Sequence, residues 1–147
     1  MSRDILPDQR ITLVTLGVRD LDRARAFYAA LGWHPAHEMH GIAFYQLRGM
    51  GLALYGLHDL ARDQDRRDGE LGTGAATYAQ NFPSEEEVDR AWDRALKAGA
   101  RALKAPQTVS WGGYSGHFAD PDGHVWELAH NPFWPLGPDR ALALPAG

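Results

Sequence analysis

One order of secondary-structure signals occurs twice in this chain, and that duplication restricts the folds open to it. Ile11 to Val18 (ITLVTLGV) is apolar and β-branched, the signature of a strand. Asp20 then suits a helix N-cap, and Leu21, Ala24, Phe27, Tyr28 and Leu31 recur on one helical face before Gly32 at C′. Short strands are expected near Trp33–Glu38, Ile42–Leu47 and Leu52–Leu57, with Gly49-Met50-Gly51 turning between the last two. About 65 residues on, the order restarts with a strand over Ala75–Phe82. Ser84 and Glu87 have capping-box spacing, Val88, Ala91, Trp92 and Ala95 form the apolar helix face, and Gly99 ends it. Strands are expected near Arg101–Lys104, Tyr114–Ala119 and Val125–Ala129. The reading is an α+β domain of two βαβββ modules, about 10–58 and 75–130. The charged, glycine-rich stretch 59–74 reads as a linker or mobile loop, and 131–147, with four prolines, as an irregular tail pinned at its start by Phe133 and Trp134.

Between the last two strands lies Asp120-Pro121-Asp122-Gly123, a turn with a mechanism: Pro121 presets φ, Asp122 can hydrogen-bond its own backbone and Gly123 accepts positive φ. The strand after it carries Glu127 on the face of Val125 and Ala129, opposite Trp126 and Leu128. A carboxylate in an otherwise apolar strand is costly unless something pairs with it, so this strand marks a candidate site.

Composition narrows the partners. With 44% apolar residues in 147 positions, the chain can bury a sizeable core. A formal charge of −4 and no basic stripe argue against nucleic acid. The absence of cysteine removes disulfides, thiolate metal sites and a Cys nucleophile. Met1 to Arg10 has no signal-peptide core and no segment approaches membrane-span length, so a cytoplasmic protein without a membrane partner is expected.

Together these residues resemble the vicinal oxygen chelate superfamily, which holds glyoxalase I, fosfomycin-resistance thioltransferases, extradiol dioxygenases and bleomycin-binding resistance proteins. The matching pieces are Leu16-Gly-Val-Arg-Asp-Leu21, Ala26-Phe-Tyr28 and Leu31-Gly32 in the first half. In the second they are Ser84-Glu-Glu-Glu-Val88, Lys97-Ala-Gly99 and Phe118 to Leu128. The resemblance spans roughly Ile11 to Trp134 and implies two curved sheets facing a cavity, a small-molecule ligand and a homodimer.

The resemblance also implies where a family metal would be held. The first-strand ligand position falls at Leu13, the fourth-strand position near Ala53, the second-half opening position at Thr77 and the last-strand position at Glu127. Only Glu127 is a strong ligand, whereas a catalytic divalent ion takes about three. Shifting register by one residue, to Thr12, Val14, Ala76 or Tyr78, supplies no His or carboxylate. No metal or other cofactor is expected.

The remaining candidates are metal-independent. His117 and Ser115 share a strand face, and a His beside Glu127 on a neighbouring strand could form an acid/base pair. Thr15 faces the same way as Leu13, Thr77 opens the second module, and Trp111, before Gly112-Gly113, could stack on a planar or cationic ligand. His34, His37 and His40 match neither one strand face nor one helix face and read as surface residues; His124 and His130 read as structural or solvated. No phosphate loop or nucleophile elbow is present. The leading expectation is a metal-free protein binding an aromatic or polar metabolite or antibiotic through Thr15, Thr77, Trp111 and Ser115. The alternative is a metal-independent isomerase or lyase using Glu127 and His117 for proton transfer, and a divalent-metal lyase or dioxygenase ranks last.

Overall fold

A computed structural model describes residues 9–145; most of the polar N-terminal decapeptide read for a signal peptide lies outside them. The order is β1 (Leu13–Val18), α1 (Leu21–Ala30), β2 (His37–Met39), β3 (Ile42–Gln46), β4 (Gly51–Gly56) and α2 (Leu57–Asp63), followed by β5 (Tyr78–Asn81), α3 (Glu85–Lys97), β6 (Arg101–Thr108), β7 (Tyr114–Ala119) and β8 (Val125–His130). These build two four-stranded sheets, β1-β4-β3-β2 and β5-β8-β7-β6. In each, the first strand pairs parallel to the last and the other pairings are antiparallel. The α+β architecture of two βαβββ units is therefore present.

Local chemistry sets the helix ends. The Asp20 carboxylate accepts from the Arg23 N–H at 3.0 Å, and Ser84 Oγ accepts from the Glu87 N–H at 3.2 Å. The Glu87 carboxylate turns away from the cap and accepts from Arg140 of the tail at 3.0 Å. Gly32 (φ +95°) and Gly99 (φ +103°) end α1 and α3 in the left-handed region, where a Cβ would be strained.

Both helices share one core. Leu16, Val18, Tyr45 and Leu54 of the first sheet meet Phe27 and Tyr28 of α1, while Phe118, Trp126 and Leu128 of the second meet Val88, Trp92 and Ala95 of α3. The halves are then tied together by the Asp120–Gly123 turn. The buried Tyr28 hydroxyl donates to Asp120 Oδ2 at 2.6 Å and accepts from Trp126 Nε1 at 3.0 Å. Asp120 Oδ1 accepts the N–H groups of Asp122 and His124, each at 2.9 Å. Asp122 Oδ1 accepts from the Arg19 N–H at 2.8 Å and from Arg23 Nη2 at 3.1 Å, and His124 Nε2 lies 2.8 Å from the Gly17 carbonyl.

Several expectations need correction. The stretch 59–74 is not all linker: Leu57, Leu60 and Ala61 form the apolar face of α2, which the surrounding charge concealed in the sequence. β2, at His37–Met39, keeps only His37 and Glu38 of the strand expected near Trp33–Glu38, and β6 continues past Lys104 to Thr108 through two register shifts. Phe133, 64% exposed, and Trp134, 38% exposed, meet the body at its surface and not in its core. Phe133 lies over Gly112, where a Cβ would come within 2.9 Å of its ring. His34, His37 and His40 are exposed, as read, and His130 Nδ1 lies 3.0 Å from the Phe82 carbonyl. No helix among the described residues is long and apolar enough to cross a membrane.

Two outcomes follow from the clasp. Asp120→Ala leaves a buried hydroxyl and two backbone N–H groups without their acceptor, so urea denaturation should show a loss of about 3 kcal/mol. Arg140→Ala, which breaks an exposed pair with Glu87, should cost under about 1 kcal/mol. Burial, with the Asp120 charge next, also raises the Tyr28 pKa far above the ordinary tyrosine value. A raised folded-state pKa means that stability is complete below the unfolded value of about 10 and falls as pH rises beyond it. Tyr28→Phe should flatten that fall by about 1.4 kcal/mol per pH unit between about pH 10 and 11. Part of the slope should remain, because burial raises Tyr45 as well.

Candidate functional site

Strand alternation divides each sheet into an inner face that packs on α1 and α3 and an outer face, over which α2 lies at Gly17 of the first sheet. On β1, Val14, Leu16 and Val18 point inward, leaving Leu13, Thr15 and Gly17 outward. On β8, Trp126 and Leu128 point inward, leaving Val125, Glu127 and Ala129 outward. Because both inner faces enter one shared core, the two outer faces do not enclose a common cavity within one chain.

Register then decides which outward side chains meet. Residues directly opposite in an antiparallel pair share a face. His117 on β7 stands opposite Glu127 on β8, and on its other side opposite Lys104 on β6; Ala79 on β5 completes the row. His117 Nε2 and Glu127 Oε2 are 4.0 Å apart, with side chains 30% and 27% exposed. At that separation and exposure the pair is open to a ligand and contributes little to stability. Ser115, buried at 4%, lies two residues along β7 between Gln107 and Ala129.

The corresponding row of the first sheet is different in kind. Thr15 stands beside Ala53, which is paired with Phe44, which is paired with His37. His37 stacks on Phe44 with ring centres 5.9 Å apart. The neighbouring row holds Met39, Ile42 and Tyr55. One outer face is therefore mostly apolar and aromatic, while the other carries a cation, an imidazole and a carboxylate in line.

Of the candidates read from the sequence, the fold brings together Glu127, His117 and Ser115. Thr15 belongs to the other sheet and lines a cleft of about 240 Å³ with Gly17, Leu57, Gln64, Tyr78 and His124. Thr77 is exposed just before β5. Trp111 is 47% exposed, and its ring folds back over Gly113, where a Cβ would fall 1.9 Å from it. Among the described residues no hydrogen bond joins either residue to the His117–Glu127 row. Lys104 escaped the sequence reading because its partnership depends on the register shifts in β6, which leave no local signal.

The residues present do not fit a divalent metal. Leu13 and Ala53 offer no donor atom in whichever chain they are placed, and Thr77 offers a neutral hydroxyl. Among the described residues no three His, Cys, Asp or Glu side chains converge.

Comparison with known proteins supplies the family context. A model of the glyoxalase/bleomycin resistance protein/dioxygenase superfamily matches residues 10–128. The crystal structure of a glyoxalase-related enzyme from Fulvimarina pelagi is 35% identical, with a TM-score of 0.87 over 94% of this chain and 99% of that one. The metallothiol transferase FosB of Lysinibacillus sphaericus is 27% identical over 121 residues, 82% of this chain and 81% of that protein. A lactoylglutathione lyase from Agrobacterium tumefaciens shares the fold at 24% identity, with a TM-score of 0.68 over 88% of this chain and 98% of that one.

Proposed function

Because the chain belongs to the glyoxalase/bleomycin resistance protein/dioxygenase superfamily, we propose that it uses the family scaffold without a metal, to bind a small molecule against the outer face of its second sheet. The observation that supports this reading is the row Lys104, His117, Glu127, beside which no third His, Asp or Glu converges among the described residues. Two relatives are a metallothiol transferase and a lactoylglutathione lyase. Leu13, Ala53 and Thr77 argue against carrying metal chemistry over to this one.

A polar row on an open sheet is only half a binding site. We propose that a second copy of the chain supplies the other half, its apolar outer face around Phe44, Ile42 and Tyr55 covering the polar row. Leu13, at 42% exposed, and Met39, at 47%, support this reading, since each is a large apolar side chain on that face. The resulting cavity has an apolar wall and a polar floor, which suits an amphipathic ligand with an aromatic or aliphatic body and a polar head. His117 and Lys104 would hold an acceptor on the head, and Glu127 a donor.

A second reading rests on the 4.0 Å separation of His117 and Glu127. Two titratable groups this close can pass a proton between adjacent ligand atoms, which is the work of an isomerase or lyase. Binding without turnover needs only the same contacts.

Metal content decides first. After incubation with Zn²⁺, Ni²⁺, Mn²⁺ or Fe²⁺ and desalting, the protein should retain less than about 0.1 ion per chain, and the L13H/T77H double variant should retain markedly more. Near-stoichiometric retention by the unaltered protein would overturn the metal-free reading. In a ligand screen with EDTA present, Glu127→Gln should weaken the best ligand about tenfold, the value of one charge-assisted hydrogen bond. A ligand recovered unchanged means binding, whereas turnover in EDTA that is lost in Glu127→Gln means proton transfer.

A further inference from the structure

A second cavity, of about 280 Å³, lies on the opposite side of the molecule from the His117–Glu127 row, in the seam between α1 and α3. Its walls are aromatic: Tyr28, Trp33, Phe82, Phe118 and Trp126 all line it. Trp33 and Trp126 meet edge to face with centres 5.4 Å apart, and Trp33 lies 6.1 Å from Tyr28. Small residues leave the space open. Ala91 and Ala95, one turn apart on α3, and Gly32, past the end of α1, line it where larger side chains would fill it.

The polar groups at this cavity differ in availability. The Tyr28 hydroxyl and Trp126 Nε1 are already bonded to each other and to Asp120. Arg94, on the α3 face of Ala91 and Ala95, lines the cavity and is exposed, and one of its guanidinium nitrogens lies 3.9 Å from where a Cβ on Gly32 would sit. Among the described residues the Arg94 guanidinium has no carboxylate or other hydrogen-bond partner, and no acidic residue lines the cavity. Arg90, Asp93 and Lys97 line a neighbouring depression with Arg94, and Arg90 is itself paired with Glu86 at 4.0 Å. Gln80 adds a neutral amide.

We propose that this inter-module cavity binds a single-ring aromatic carboxylate, its ring among Trp33, Phe82 and Trp126 and its carboxylate on the Arg94 guanidinium. The volume lies just below the range of drug-sized pockets, about 300 to 1,000 Å³, and so suits one ring with a short acidic arm. Edge and face contacts hold the ring, and the planar guanidinium matches a carboxylate in two-point geometry. The site is independent of the proposed ligand at His117–Glu127, and the two can be tested apart.

Phenylacetate and neutral phenylacetamide are the probes, titrated against protein labelled with nitrogen-15 at its tryptophan indoles. Phenylacetate should shift the Trp33 and Trp126 indole signals and leave Trp111 in place, with affinity about tenfold above the amide. Arg94→Gln should remove that difference, Arg94→Lys should keep part of it, and Glu127→Gln should leave it unchanged. Because Arg94 is exposed, the variants should unfold at the wild-type temperature, which keeps a loss of binding interpretable. The proposal fails if neither probe moves the Trp126 signal, if both bind equally with Arg94→Gln silent, or if binding is lost in Glu127→Gln and not in Arg94→Gln.

Discussion

The buried contact between Tyr28 and Asp120 fixes how the two modules sit together. A phenol and a carboxylate in a core are each expensive unless satisfied, and here each satisfies the other at 2.6 Å. The remaining capacity of both groups is used as well: Trp126 donates to the phenol, and the turn backbone donates to the carboxylate. A change in the angle between the modules would break all of these at once. The same turn holds the start of α1 through Asp122 and the β1 backbone through His124. One four-residue turn thus sets the position of the first module's helix relative to the second module's sheet.

That arrangement decides where chemistry can occur. With the faces that carry α1 and α3 used in one core, the outward face of the first sheet is covered at Gly17 by Leu57 and Leu60 of α2, while His117 and Glu127 on the outward face of the second remain part-exposed. The two outward faces are chemically unlike, one mostly apolar and aromatic, the other carrying Lys104, His117 and Glu127 in a row. Neither is an efficient binding surface alone, because an open polar row competes with water at full dielectric and an open apolar face has nothing to bury against. Bringing the two faces together supplies both needs, which is the physical case for a second copy in the proposed site.

The sequence revealed local features more readily than distant ones. The Asp20 and Ser84 caps, the helix-ending Gly32 and Gly99, and the inward and outward alternation around Glu127 all depend on residues within a few positions of one another. Each was legible for that reason. The Asp120–Gly123 turn was legible as a turn, but its larger role was not, since its partners Tyr28, Arg19 and Arg23 lie 92 to 103 residues away. α2 was missed because charge and glycine density outweighed a single apolar turn, and Lys104 because a bulged strand does not announce its register. The cavity at Arg94 was invisible for a further reason: small residues on α3 and at the end of α1 create space only where the two helices are packed side by side.

Glu127 brings these levels together. In the sequence it is an acid among apolar neighbours, which suggested a buried and costly group. The fold removes most of that cost by turning it to the outer face, 27% exposed and opposite an imidazole. A second copy laid over that face would restore the cost, since burial penalises a carboxylate that lacks partners, and His117 at 4.0 Å is too far for a direct hydrogen bond. A ligand bearing a donor between the two side chains would satisfy both at once. In the proposed dimer the gap between His117 and Glu127 would cost stability when empty and be filled when a ligand binds, which would couple ligand binding to assembly. Each should strengthen the other by the same factor.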